Sequence, residues 1–212
     1  MLQLLDNCVV FPVSSIFPEG ASFHIDQMPQ LLNTFNHSVD TDTAKQRVSL
    51  WIDSGFKAEM MEPLLHAVIV TFGGGYRIWG RSSTHFIDNQ RDYNLILKQA
   101  YVLASRLDFG CLKEIKKIKG IGDTYATKFV RFFNDNFPVL DSRIREAGDY
   151  GCNDEQYKHY HHFCTILARA TSMSLADVES CIFCFIQVST SNKKRWTQHN
   201  QLKRMLLAQQ YR

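Results

Sequence analysis

The sequence predicts a mainly α fold with little or no β structure. Three observations carry that expectation. Apolar residues recur at helical spacing through most of the chain after about residue 40, strand-like alternation is short and confined to places such as Cys8 to Val13, and only five prolines and eleven glycines interrupt 212 residues. A content of 45% hydrophobic and 21% charged residues excludes general disorder and is enough to bury a core. The length points to a single domain over residues 1–212.

The first helix is expected from Thr43, which forms a capping box with Gln46, and its apolar side (Ala44, Val48, Leu50, Trp51, Ile52) ends near Gly55. Phe56 to Phe72 is the most apolar stretch and reads as a buried helix stopped by Gly73, Gly74 and Gly75, with Pro63 either in an early turn or kinking it. The following segment, Tyr76 to Gln90, mixes aromatic, basic and small polar residues without an evident period and reads as an ordered loop. Further helices are expected at about Tyr93 to Leu107, Leu112 to Ile118, Asp123 to Asn134, Ser142 to Ala147, Asp154 to Ala170, Ser174 to Val188 and Lys194 to Gln210. Ser174 with Asp177 supplies a second cap signature.

Net charge is +3, so the placement of cations matters more than their total. The six cysteines lack the spacing of a small disulfide framework and are expected as reduced thiols; Cys181-x-x-Cys184 has no second pair at zinc-ligand spacing. His159, His161 and His162 fall on different sides of one helix, so no metal is expected. Met1 to Pro12 lacks a basic leader, and no run approaches the roughly 18 apolar residues of a membrane span, so a cytosolic protein without membrane attachment is expected.

The chemistry concentrates in residues 111–150. Leu112, Ile115 and Ile118 recur at helical spacing, Lys119-Gly120-Ile121-Gly122 forms a turn, and Tyr125, Ala126, Phe129, Val130 and Phe133 line one side of a second helix. This is a helix-hairpin-helix. Gly120 and Gly122 let backbone N–H groups approach an anion, the next helix start adds a partial positive charge, and Lys113, Lys116, Lys117 and Lys119 surround the turn. A sequence-independent grip on a nucleic-acid backbone follows; the plainer reading is a connector with solvated lysines.

The order of helix, Gly-Ile-Gly turn, helix, Pro-containing loop (Phe137-Pro138) and Asp141 resembles the helix-hairpin-helix DNA glycosylase superfamily. IKGIG followed by PVLDSRI is most similar to the compact 8-oxoguanine glycosylases of archaea and bacteria, over about forty residues. The resemblance implies excision of a modified purine flipped out of double-stranded DNA, by a monomer without cofactor. It places the catalytic carboxylate at Asp141, a residue that also suits an N-cap. It departs from the usual pattern at Thr124, where a nucleophilic lysine is customary; Lys128, one turn on, is the replacement candidate and would supply Schiff-base and β-elimination chemistry.

Gly120, Gly122, Lys117, Lys119, Thr124 and Arg143 are the expected DNA contacts, Arg143 holding a phosphate or pairing with Glu146. Tyr76, Trp79, Phe86, Phe183 and Phe185 are candidates to stack on the extruded base. The basic tail from Lys193 to Arg212 is expected to pack as a closing helix and to touch phosphates. Two rival readings stand beside the enzyme: a hairpin module that only binds nucleic acid, and a glycosylase-like component of a bacterial defence or base-modification system.

Overall fold

The computed structural model describes residues 1–35 and 39–190. Among the described residues, ten α-helices and a three-stranded sheet make the fold mainly α. The chain divides into two compact units, one formed by Met1–His37 with Asp141–Arg212 and the other by Ser38–Leu140. The sequence hides this because the first unit is assembled from both ends of the chain.

In the two-ended unit, strands β1 (Gln3–Leu5), β2 (Cys8–Phe11) and β3 (Ala21–His24) form an antiparallel sheet in chain order. Leu5 pairs with Cys8, so Asp6 and Asn7 make a two-residue turn, both at positive φ as a right-twisted hairpin requires. Val9 and Phe11 face inward, which explains the alternation read from Cys8 onward. Helices α1 (Met28–Phe35), α8 (Ser142–Gly148), α9 (Asp154–Thr171) and α10 (Leu175–Thr190) complete the unit. α1 packs on α10, where the Cys181 thiol donates to the Met28 carbonyl at 3.2 Å. Ser174 caps α10 as expected, its hydroxyl accepting from the Asp177 amide.

The second unit contains α2 (Val39–Asp53), α3 (Met61–His66), a π-helical segment (Ala67–Phe72), α4 (Tyr76–Asp88), α5 (Gln90–Ser105), α6 (Gly110–Ile115) and α7 (Asp123–Phe133). Its core is built around Trp51, stacked on Phe133 with centroids 5.9 Å apart. Two buried polar side chains beside this core are matched: the Trp51 indole N–H donates to Asn94 Oδ1 at 2.7 Å, and Asn94 Nδ2 donates to the Phe56 carbonyl at 2.8 Å.

Three local expectations change. α2 begins at Val39, four residues before the Thr43 capping box, with Asp40 and Asp42 in its first turn complementing the helix dipole. Pro63 occupies the first turn of α3, where its missing N–H has no intrahelical partner to lose. Residues 76–88 are a helix and not a loop. Phe86 is buried and Trp79 half-buried, seven residues apart with rings 5.9 Å apart, so tertiary burial selects a helix that Gly80, Ser82 and Ser83 disfavour locally. The expected helix from Lys194 to Gln210, with its basic tail, lies outside the described residues.

Among the described residues, no single helix is long and apolar enough to cross a membrane.

Candidate functional site

The helix-hairpin-helix forms within the second unit. α6 ends at Ile115, Ile118 and Ile121 are buried beneath the turn, and the Ile121 amide donates to the Ile118 carbonyl at 3.0 Å. The two hairpin glycines differ in kind. Gly120 sits at φ +89, a left-handed conformation that side chains resist, and a Cβ there would stand 3.0 Å from Ser82 Oγ. Gly122 has ordinary extended backbone at φ −97 as the N-cap of α7, and a Cβ there would meet nothing within 4 Å.

Charge around the turn is partly committed. Lys116 Nζ bonds Asp123 Oδ1 at 2.9 Å, in the first turn of α7, and Lys117, just past the end of α6, pairs with Glu114 three residues before it. Asp123 therefore already occupies part of the positive field at the start of α7. Lys113 and Lys119 are exposed.

Lys128 is the least expected element, because it is only 9% exposed. Its Nζ donates to the Gly73 carbonyl at 3.3 Å and stands 5.1 Å from the Tyr125 ring centroid and 5.7 Å from that of Phe72. Tyr125 donates its hydroxyl to the same carbonyl at 3.3 Å. Arg131, also buried, lies with its guanidinium carbon 5.4 Å from the Phe72 centroid. Three residues spaced i, i+3 and i+6 on α7 thus converge on the end of the π-helical segment.

The glycine run makes that approach possible. A Cβ on Gly73 would lie 2.8 Å from Tyr125 Cε1 and 2.6 Å from the Ile69 carbonyl, and one on Gly75 would lie 2.5 Å from the Tyr125 hydroxyl. Gly74 supplies the positive φ, +63, that turns the chain into α4. Reading the run as a helix stop missed this role. The signal was available as three glycines at the end of the most apolar stretch, but nothing local named Tyr125 as the ring they admit.

Thr124 is half-buried, and its carbonyl accepts from the Thr127 hydroxyl at 2.9 Å. The Thr127 oxygen in turn accepts from the Leu140 amide at 3.2 Å. The neighbour of Lys128 therefore fixes the backbone of the residue that precedes Asp141. Leu140 is the last residue of the second unit and Asp141 the first of the returning segment.

In the two-ended unit, Asp141 is 9% exposed and caps α8, Oδ1 accepting from the Ile144 amide at 2.9 Å. One carboxylate oxygen is engaged by the cap, so capping and a chemical role for the other are compatible. Arg143 is exposed and donates to Gln187 Oε1 at 3.3 Å, while Glu146 accepts from Ser15; neither partner is the Arg143–Glu146 pair weighed from sequence.

The aromatic candidates separate by burial. Tyr76 is 72% exposed, and Trp79 is half-buried with its ring edge-on to His66 at 4.9 Å. Phe86 is buried in the core. Phe185 packs within 5.3 Å of Phe11 and 4.7 Å of Phe23, so its ring is covered by its own unit. Phe183 is half-buried and edge-on to Phe35 at 6.0 Å.

All six cysteines are free thiols, four of them buried. Burial pushes Cys111 and Cys184 up to about 12 and raises Cys164 and Cys181 as well, which keeps them neutral and poor as nucleophiles or metal ligands. His159 forms a weak pair with Glu155 at 3.9 Å along α9.

No family model, curated protein or solved structure matches the chain.

Proposed function

We propose that the protein is a DNA N-glycosylase of the helix-hairpin-helix kind, removing a modified purine with Lys128 as the nucleophile. The observation that carries the reading is the withdrawal of Lys128 from solvent, with its Nζ against the Gly73 carbonyl and over the Tyr125 and Phe72 rings. A lysine that merely solvates a helix keeps its head in water.

In the proposed reaction the neutral amine of Lys128 attacks C1′ of the extruded nucleotide, and the electron pair of the broken N-glycosidic bond leaves with the purine, which takes up a proton. Opening of the sugar ring yields a Schiff base between Nζ and C1′. Loss of a C2′ proton then expels the 3′-phosphate by β-elimination, and hydrolysis of the Schiff base returns the lysine. Asp141 is the proposed carboxylate that stabilises positive charge at the sugar and relays protons. The Gly120–Gly122 turn with Lys119 is the proposed hold on the DNA backbone. The resemblance of IKGIG and PVLDSRI to 8-oxoguanine glycosylases supports an oxidised guanine as the base and a repair role, or one in defence against foreign DNA.

Borohydride reduction in the presence of duplexes carrying single altered purines tests the reading. A covalent protein–DNA adduct is expected with the native chain and none with Lys128→Ala. Base release without an adduct would transfer the chemistry to a water activated by Asp141, and Asp141→Asn would then abolish release.

A second reading is favoured by a specific feature. The Lys128 amine already bonds the Gly73 carbonyl, a structural use of the side chain, and a hairpin that only binds DNA accounts for that bond without catalysis. Binding with neither base release nor adduct on any altered purine decides for it.

A further inference from the structure

Helix α4 carries exposed features that neither the core nor the proposed chemistry uses. Tyr76, Arg77, Gly80, Arg81 and Thr84 are all exposed, and their spacing sets them along one side of the helix, opposite buried Phe86. No acidic residue occurs between Glu62 and Asp88. The positive charge of Arg77 and Arg81 thus has no countercharge within its own stretch of chain.

Gly80 is the second observation. A glycine in a helix interior is unfavourable, and here nothing in the fold asks for one, since a Cβ at Gly80 would meet nothing within 4 Å. At Gly122, the N-cap of α7, a Cβ would likewise meet nothing within 4 Å. Both are exposed, and each lies close in sequence to exposed cations, Gly80 beside Arg77 and Arg81, Gly122 beside Lys119. Gly120 brings the two together, because it abuts Ser82 of α4, the residue after Arg81.

We infer that α4 and the hairpin turn form one DNA-backbone-binding surface, in which Arg77 and Arg81 bind phosphates and Gly80 leaves room for the strand to lie against the helix. The inference rests on the nucleic-acid reading and extends it to a helix outside the hairpin. Tyr76, at the start of the same side, is placed to stack on an unpaired base with its uncharged ring.

Fluorescence anisotropy of the full chain on a labelled DNA duplex of mixed sequence, titrated with salt, tests this. The double variant Arg77→Gln, Arg81→Gln is expected to bind roughly tenfold more weakly at low salt and to lower the slope of log affinity against log salt by about two, one counterion per lost phosphate contact. Tyr76→Ala should weaken binding without changing the slope. Gly80→Ala should raise the thermal unfolding midpoint while weakening binding, a pairing that a purely structural glycine does not give. A native chain with no affinity for the duplex would overturn the nucleic-acid reading itself. A native chain that binds with a steep salt slope, matched by the arginine variant or by Gly80→Ala, would overturn the assignment of α4 alone.

Discussion

The Gly73–Gly75 run and the isolated glycines Gly80 and Gly122 of the second unit differ in what the fold asks of them. At Gly73-Gly74-Gly75 the absence of side chains lets Tyr125 and Lys128 dock on the Gly73 carbonyl, and a Cβ at Gly73 or Gly75 would collide with backbone and ring. At Gly80 and Gly122 a Cβ would enter open space. A glycine demanded from inside speaks of packing. One that the interior does not need leaves open surface between exposed cations, which is what the proposed DNA contact uses.

The comparison can be broken most sharply at the residue the first region serves. If Lys128 is the proposed nucleophile, Lys128→Ala should lower the yield of borohydride-trapped adduct by a factor on the order of 10³ or more, since the covalent route is then eliminated. Lys128→Met, which keeps the bulk of the chain, should lose the adduct equally with the unfolding midpoint close to native, separating chemistry from packing.

Next in size is a graded series read by urea denaturation. Gly73→Ala should destabilise by about 2–3 kcal/mol through overpacking against the Ile69 carbonyl and Tyr125. Gly120→Ala should lose about 1–2 kcal/mol because its positive φ is retained. Gly122→Ala should change stability by no more than about 0.5 kcal/mol. Equal losses at Gly73 and Gly122 would erase the distinction.

A further expected effect, seen only at alkaline pH, concerns the buried side of the hairpin. The Cys111 thiol, on the inward face of α6, is raised from 9.0 to about 12 by burial. Below pH 9 the thiol is neutral in folded and unfolded chains alike. Above it the unfolded chain releases the proton and the folded chain retains it, so stability falls as pH rises from about 9 toward 12. Chemical denaturation across that range should show Cys111→Ala with a shallower decline than the native chain. The exposed Cys152 should react with a thiol reagent at neutral pH while Cys111, Cys164, Cys181 and Cys184 stay protected until unfolding.

Where apolar periodicity was strong and flanked by capping residues, the sequence was legible. α7 spans Asp123–Phe133 against an expectation of Asp123 to Asn134, and Ser174 caps α10. The reading of 76–90 as a loop failed because only Trp79 and Phe86 carry the apolar period of α4, and local propensity outweighs two residues until tertiary burial is counted. Of the candidate residues, Lys128 and Asp141 could be picked out by order and spacing. Their burial could not, nor could the way Phe86 and Phe185 are taken up by the core.

By itself the sequence determined the helical class, the hairpin and its turn, and the cap at Asp141, because each depends on residues within a few positions of one another. The tertiary structure alone decided that the chain divides into two units, that Gly73 receives Tyr125 and Lys128 from more than fifty residues away, and which hairpin glycine sits at positive φ. Those outcomes rest on long-range packing and on the space around a missing Cβ, and neither leaves a periodic trace along the chain.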